Sequence, residues 1–251
     1  MNNKKEIVSI VLIVAIALSV VALSGCVEED NGNVITVGTS ADFPPFEYME
    51  GGEIVGFDIE MVTAVLESLD YQVEVQDIAF DGLIGSLQTG KIDVVAAAMS
   101  IDPERDVDFT IPYFEADLSV LVMADSELLL NDTNYIEELT NLTLGAQTGT
   151  TGAQWVLDNF DEEQLRRYET YTEAVLDLLN GNLDAVIIDK PVGEVFAEEV
   201  DLKIAYTIIT GEQYGLAVKK GNTELLEELN TALADFMESE EWSELVRKYF
   251  G

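Results

Sequence analysis

Apolar and polar positions follow two periods along this chain, and each switch between them predicts an element. "VITVGTS" (34–40) is β-branched and reads as a strand. In "GFDIEMVTAVLESLD" the apolar residues Ile59, Val62, Val65, Leu66 and Leu69 recur at helical spacing. "YQVEVQDI" alternates like a strand, and "FDGLIGSLQTGKID" reads as a helix that ends near Gly90. "VVAAAM" is apolar throughout, as expected of a strand covered on both faces. The order β-α-β-α-β predicts an α/β fold.

After a further predicted strand, "LSVLVMAD" (118–125), the pattern restarts. "LTLGAQ" and "AVIID" read as strands; "TGAQWVLDNF", "YTEAVLDLLNGNLD" and "KPVGEVFAEEV" read as helices. "YGLAVKKG" is a late strand, and two amphipathic helices follow, divided at Ser239. The two halves rhyme. "LIGSLQTGKIDVVAAAMS" and "VLDLLNGNLDAVIIDKP" each run helix, glycine cap, buried strand, polar residue. In open α/β sheets ligands bind beyond the carboxyl ends of strands, where Ser100 and Asp189 stand. Two ordinary αβ units would also produce this rhyme.

Composition narrows the chemistry. The 251 residues include 49 acidic and 12 basic ones and carry a formal net charge of −37, so contact with nucleic-acid phosphates is disfavoured. The absence of histidine removes Ser-His-Asp catalysis and imidazole metal sites. Cys26 is the one cysteine, which leaves no intrachain disulfide and no zinc cluster, and no cofactor or metal is expected. At the N-terminus, Lys4 and Lys5 precede an apolar run from Ile7 to Leu23. That run reads as a targeting segment or as a membrane anchor. "NDT" at Asn131 and "NLT" at Asn141 are acceptor sequons of a kind that also arises by chance.

Arginine is scarce, which makes "MSIDPERDVDF" (99–109) stand out. Arg105 lies among Asp102, Glu104 and Asp106, and one reading is a solvated arginine balanced by its neighbours. Asp102 before Pro103 reads as a helix cap with proline at the first helical position. Such a helix start would offer free N–H groups to an anion. "TGTT" (148–151) reads as the start of another helix, and Thr150 and Thr151 could simply cap it.

Taken in order, "GTSADFPPFEY", "GFDIEM", "FDGLIGSLQTGKIDVV", "MSIDPER", "QTGTT", "GNLDAVIIDKPV", "YGLAVKKGN" and "LVRKYFG" resemble the extracellular solute-binding proteins of amino-acid ABC transporters, bacterial solute-binding protein family 3. "LSGC" (23–26) resembles a lipobox, which implies cleavage before Cys26 and lipid on it, with 26–33 as a tether. The family fold implied is the type II periplasmic-binding-protein fold: two α/β lobes joined by two hinge strands around a ligand cleft. Residues 34–121 and 213–251 would form lobe 1 and 122–212 lobe 2, with "SVLVMA" and "YGLAVKK" as hinge strands.

The resemblance implies roles residue by residue. A free amino acid carries a carboxylate and an ammonium, and burying both requires opposite partners. Arg105 would hold the carboxylate through its planar fork, with N–H groups of Thr150 and Thr151 across the cleft. Asp189 would pair with the ammonium, its alternative role being the cap of the following helix. The Ser100 hydroxyl and the Ala98 carbonyl would add polar contacts. Phe43 and Phe80 would shape the side-chain pocket, their alternative role being core packing. Ser40 and Asp42 would lie at its opening. One departure is that the loop after Arg105 is about two residues shorter than the family pattern. The resemblance further implies a membrane-anchored monomer outside the cytoplasmic membrane that captures a free, polar amino acid by cleft closure and delivers it to a permease and its ATPase, both separate chains. An extracellular sensor domain and a cleft enzyme of dehydratase type are the competing readings on this fold.

Overall fold

The computed structural model describes residues 33–251; the expected signal segment and Cys26 lie outside the described residues. From Val34 onward the chain folds as one compact unit. The elements in chain order are strand β1 (Val34–Thr39), the small hairpin strands β2 (Asp42–Phe43), β3 (Glu47–Glu50) and β4 (Glu53–Val55), helix α1 (Phe57–Ser68) and β5 (Gln72–Asp77). Then come α2 (Leu83–Thr89), β6 (Val94–Val95), β7 (Val107–Phe109), β8 (Phe114–Met123), α3 (Tyr135–Leu139), β9 (Leu144–Gln147), α4 (Thr151–Asn159) and β10 (Leu165–Tyr168). The chain closes with α5 (Tyr171–Leu179), β11 (Ala185–Asp189), α6 (Lys190–Glu199), β12 (Leu202–Tyr214), β13 (Ala217–Lys219), α7 (Thr223–Met237) and α8 (Glu240–Phe250).

Two five-stranded sheets form the two lobes, in the orders β5-β1-β6-β13-β7 and β10-β9-β11-β8-β12. The rhyme seen in the sequence is a rhyme of topology. β1 pairs in parallel with β5 and β6, and β9 pairs in parallel with β10 and β11. In each sheet an antiparallel strand is then added beside the parallel triplet, β13 on β6 and β8 on β11.

Most predicted elements form for the reasons read from the sequence. α1 buries Phe57, Ile59, Met61, Val62, Val65 and Leu66. α2 ends at Gly90, whose positive φ of 73° suits a residue without Cβ. Ser239 divides the last two helices, its hydroxyl accepting from the Trp242 N–H at 3.0 Å. Gly56, at φ 133°, must be glycine for a second reason: a Cβ there would collide with the Phe46 carbonyl.

Three expectations change. "VVAAAM" keeps only Val94 and Val95 in the sheet, and Ala98 turns out of it at φ 43°. No helix starts at Asp102. The Asp102 carboxylate accepts from Glu104 N–H at 2.8 Å, its carbonyl from Arg105 N–H at 3.1 Å, and β7 begins at Val107. β7 begins two residues after Arg105, and a tight turn presents Arg105. The crossing between lobes also moves. β8 pairs with β12 along its length and with β11 over Leu118–Leu121, so "SVLVMA" belongs to the second sheet, while β13 of "YGLAVKK" belongs to the first. The chain crosses between Phe109 and Phe114, and returns between Tyr214 and Ala217.

An aromatic cluster lies under the crossing. The Phe46 ring sits 4.9 Å from Phe114, 5.3 Å from Tyr214 and 5.3 Å from Phe250. The C-terminal helix is thereby packed against the strands that join the lobes. No helix among the described residues is long and apolar enough to cross a membrane.

Candidate functional site

A narrow cleft lies between the two sheets, lined by Ser40, Phe43, Glu47, Phe80, Ala97, Ala98, Ser100, Arg105, Gln147, Thr150, Thr151 and Asp189. Of the ten residues expected there, Asp42 alone does not line it.

The first lobe contributes Arg105. One of its terminal nitrogens donates to the Gly149 carbonyl of the second lobe at 3.1 Å, and its Cζ lies 5.7 Å from the centre of the Phe80 ring. Its Nε is buried and has no hydrogen-bond partner in the described structure. A buried donor without an acceptor is costly, and a carboxylate supplied by a ligand would relieve it. Burial also lowers the guanidinium's pKa, opposed by Asp102 and Glu212 nearby.

The second lobe contributes Asp189 at the end of β11. It stands at the start of α6, yet its side chain makes no capping bond. It accepts instead from the Tyr214 hydroxyl at 2.6 Å and is 5% exposed. Burial, and next the charge of Glu212, push its pKa up to about 7 against that hydrogen bond.

Thr150 and Thr151 divide their labour. The Thr150 hydroxyl accepts from Ala153 N–H at 3.2 Å and donates to the Gln147 carbonyl at 2.8 Å, so it is spent on capping α4. The Thr151 hydroxyl donates to a Glu212 oxygen at 2.6 Å, and the Ser100 hydroxyl donates to the same oxygen at 2.5 Å.

Phe43 and Phe80 are both buried and line the cleft, so packing and pocket-shaping coincide in them. Phe43 also meets Tyr171 of the second lobe, their ring centres 5.5 Å apart. Asp42 does something not anticipated. Its carboxylate accepts from Tyr171 N–H at 2.7 Å, at the first residue of α5, and from the Gln147 amide and the Ser40 hydroxyl. It therefore joins lobe to lobe.

Two acids were missed. Glu47 on β3 is 1% exposed, lines the cleft and leaves its Oε2 without a partner. Burial, then Asp58, Asp42 and Asp189, raise its pKa well above the ordinary carboxylate range. Its only signal in the sequence is a lone charge among "FPPFEY". Glu212 lies on β12, whose mixed polar pattern hid the strand itself. Beneath the cleft, Asp58 of α1 accepts from Ala98 N–H at 2.8 Å and from the Tyr113 hydroxyl at 2.5 Å, which holds Ala98 in its left-handed conformation. Among the described residues, no cluster of acids and thiols is placed to hold a metal ion.

Known proteins resemble this chain over nearly all of its described length. A family model for "Bacterial extracellular solute-binding proteins, family 3" matches residues 35–251. An ABC transporter arginine-binding protein of Escherichia coli K12 is 36% identical over 80% of this chain and 84% of its own length. The structure of an ancestral arginine-binding protein bound to arginine superposes with a TM-score of 0.81 at 36% identity, covering 87% of this chain and 99% of the other. The arginine-, lysine-, histidine-binding protein ArtJ of Geobacillus stearothermophilus gives a TM-score of 0.81 at 33% identity, covering 87% and 96%. The chain belongs to the bacterial extracellular solute-binding proteins of family 3, with their two-lobed fold.

Proposed function

We propose that this protein captures a free amino acid with a cationic side chain, arginine first, and presents it to an ABC-transporter permease. The observation that carries this reading is Glu47, a buried carboxylate facing the cleft with an oxygen unpartnered. The cleft lining holds one cation, Arg105, and two carboxylates, Glu47 and Asp189. An amino acid's carboxylate would match Arg105 and its ammonium Asp189. Glu47 is then left over, and a second positive charge on the ligand would match it once it ionises. Relatives named for arginine support the same choice. Phe43 and Phe80 offer ring faces along which a cationic side chain would lie.

The Thr151 N–H and Arg105 would hold the carboxylate from opposite jaws, with the Ala98 carbonyl and Ser100 completing the ammonium's contacts. Ser40 and Asp42 act around the pocket, Asp42 by tying the lobes together. Ligand binding closes the lobes, and release to the permease opens them; no covalent step is involved. The protein works as a monomer outside the cytoplasmic membrane, tied to it by lipid on Cys26, with the ATPase and permease as separate chains. The "LSGC" motif supports the anchor.

The test is a thermal-shift and calorimetric screen of ligand-free protein against arginine, lysine, histidine, glutamine and glutamate. Ligand at a hundred times its dissociation constant adds about 2.7 kcal/mol of stability. A shift with arginine or lysine and none with glutamate is expected. A shift with glutamine but none with arginine would overturn the cationic assignment, and silence with every amino acid would overturn the ligand class.

A further inference from the structure

We infer that Glu212 fixes the polarity of the cleft: by taking the hydroxyl hydrogens of Ser100 and Thr151, it leaves both hydroxyl oxygens able only to accept from the ligand. The inference rests on an amino acid being the ligand and extends that reading to how its two charged ends are told apart.

The geometry is specific. Ser100 follows β6 of the first lobe, Thr151 opens α4 of the second, and Glu212 lies where β12 pairs with Ala116 at the base of β8. One Glu212 oxygen, Oε2, meets Ser100 Oγ at 2.5 Å and Thr151 Oγ1 at 2.6 Å. Both distances lie in the range of hydroxyl-to-carboxylate bonds. A hydroxyl has one hydrogen and two lone pairs. Once its hydrogen is committed to Glu212, what it can show a ligand is a lone pair.

The consequence is chemical. An ammonium has hydrogens to give and can use those lone pairs. A carboxylate has none, and it would also meet the negative charge of Glu212. The ligand's carboxylate is therefore left to the Arg105 guanidinium, whose Nε is buried and unpartnered, and to backbone N–H groups of the α4 start. Its ammonium turns toward Asp189, Ser100 and Thr151. Because the two hydroxyls come from opposite lobes, one carboxylate sets the same polarity on both jaws when the cleft is closed. Glu212 is thus a positioning residue that acts through two ligand-facing hydroxyls.

The experiment compares two probes, L-arginine and its desamino analogue 5-guanidinopentanoate, by calorimetry on the wild type, Glu212→Gln and Ser100→Ala. The wild type should prefer arginine by about a hundredfold or more. In Glu212→Gln the side-chain amide can donate to one hydroxyl and free its hydrogen for a carboxylate. The preference should fall about tenfold, from weaker arginine binding and tighter binding of the analogue. Ser100→Ala, which leaves Glu212 in place, should weaken arginine and leave the analogue unchanged. A preference unchanged in Glu212→Gln, or an equal loss for both probes in Ser100→Ala, would overturn the inference. If the wild type takes a different amino acid, that acid and its desamino counterpart form the pair. An error in the side-chain assignment then shows in the wild type alone, and an error about Glu212 shows in the ratio.

Discussion

The two jaws of the cleft are built by different means. In the second lobe the site residues stand at the ends of regular elements. Asp189 closes β11, Gln147 closes β9, and Thr150 and Thr151 begin α4. In the first lobe β6 stops after two residues, and the chain from Ala96 to Asp106 reaches the ligand through irregular backbone. Ala98 there is held left-handed by Asp58, and Arg105 is aimed by a turn. The second jaw needs only strand and helix geometry. The first needs buried polar contacts to hold conformations that its residues do not favour by themselves.

Substitutions at the two charged anchors make the largest test of this contrast. Arg105→Lys in the first jaw and Asp189→Asn in the second should each weaken binding by about 2–5 kcal/mol, read by calorimetry: the first keeps the charge but loses the planar fork, and the second leaves the ligand's ammonium unmatched. They should differ in their effect on the empty protein. Asp189→Asn removes a buried acid and should raise the melting temperature at pH 8; Arg105→Lys should not.

Acidity separates empty from loaded protein. Asp58 and Asp189 have an ordinary pKa of 3.8 and are pushed up to about 7 chiefly by burial. Between those values the folded state binds more protons than the unfolded one, so the stability of the empty protein should fall as pH rises across that window. Each group can contribute at most about 1.4 kcal/mol per pH unit. Binding of a cationic amino acid should run the other way, strengthening as pH rises and releasing protons as Glu47 and Asp189 ionise. Denaturation at several pH values and calorimetry in buffers of differing ionisation enthalpy would check both signs. A flat profile would remove the buried-acid account.

A smaller effect isolates the first jaw. Asp58→Leu should leave Ala98 N–H and the Tyr113 hydroxyl without an acceptor and cost about 1–3 kcal/mol for each, read by chemical denaturation. The smallest pair sets strain against regularity. Ala98→Gly should gain up to about 1 kcal/mol by relieving the positive φ, while Thr150→Ala should lose about 1 kcal/mol with its cap. Equal losses at both positions would mean that the first jaw stores no strain.

Legibility followed the same division. Asp189, Thr150 and Thr151 could be placed from sequence because a buried strand and a helix start are local patterns. Arg105 could be named from the motif around it, but the helix expected at Asp102 did not form, since β7 begins at Val107, two residues after Arg105. Glu47 and Glu212 escaped because a carboxylate in a short hairpin or on a mixed-polarity strand ordinarily faces water. Asp42 was expected at the pocket opening; its bonds to Gln147 and Tyr171 of the second lobe were not legible, because those two partners lie more than a hundred residues away.

Periodicity, caps and composition by themselves pointed to an α/β chain whose halves rhyme, and left no histidine for imidazole chemistry and no second cysteine for an intrachain disulfide. Those properties depend on spacing within a few turns or on residue counts. The tertiary structure alone decided where the chain crosses between lobes, which acids are stripped of water, and which hydroxyls share one carboxylate. Burial and long-range hydrogen bonds arise only when distant segments pack, and the cleft between the two sheets is made of such meetings.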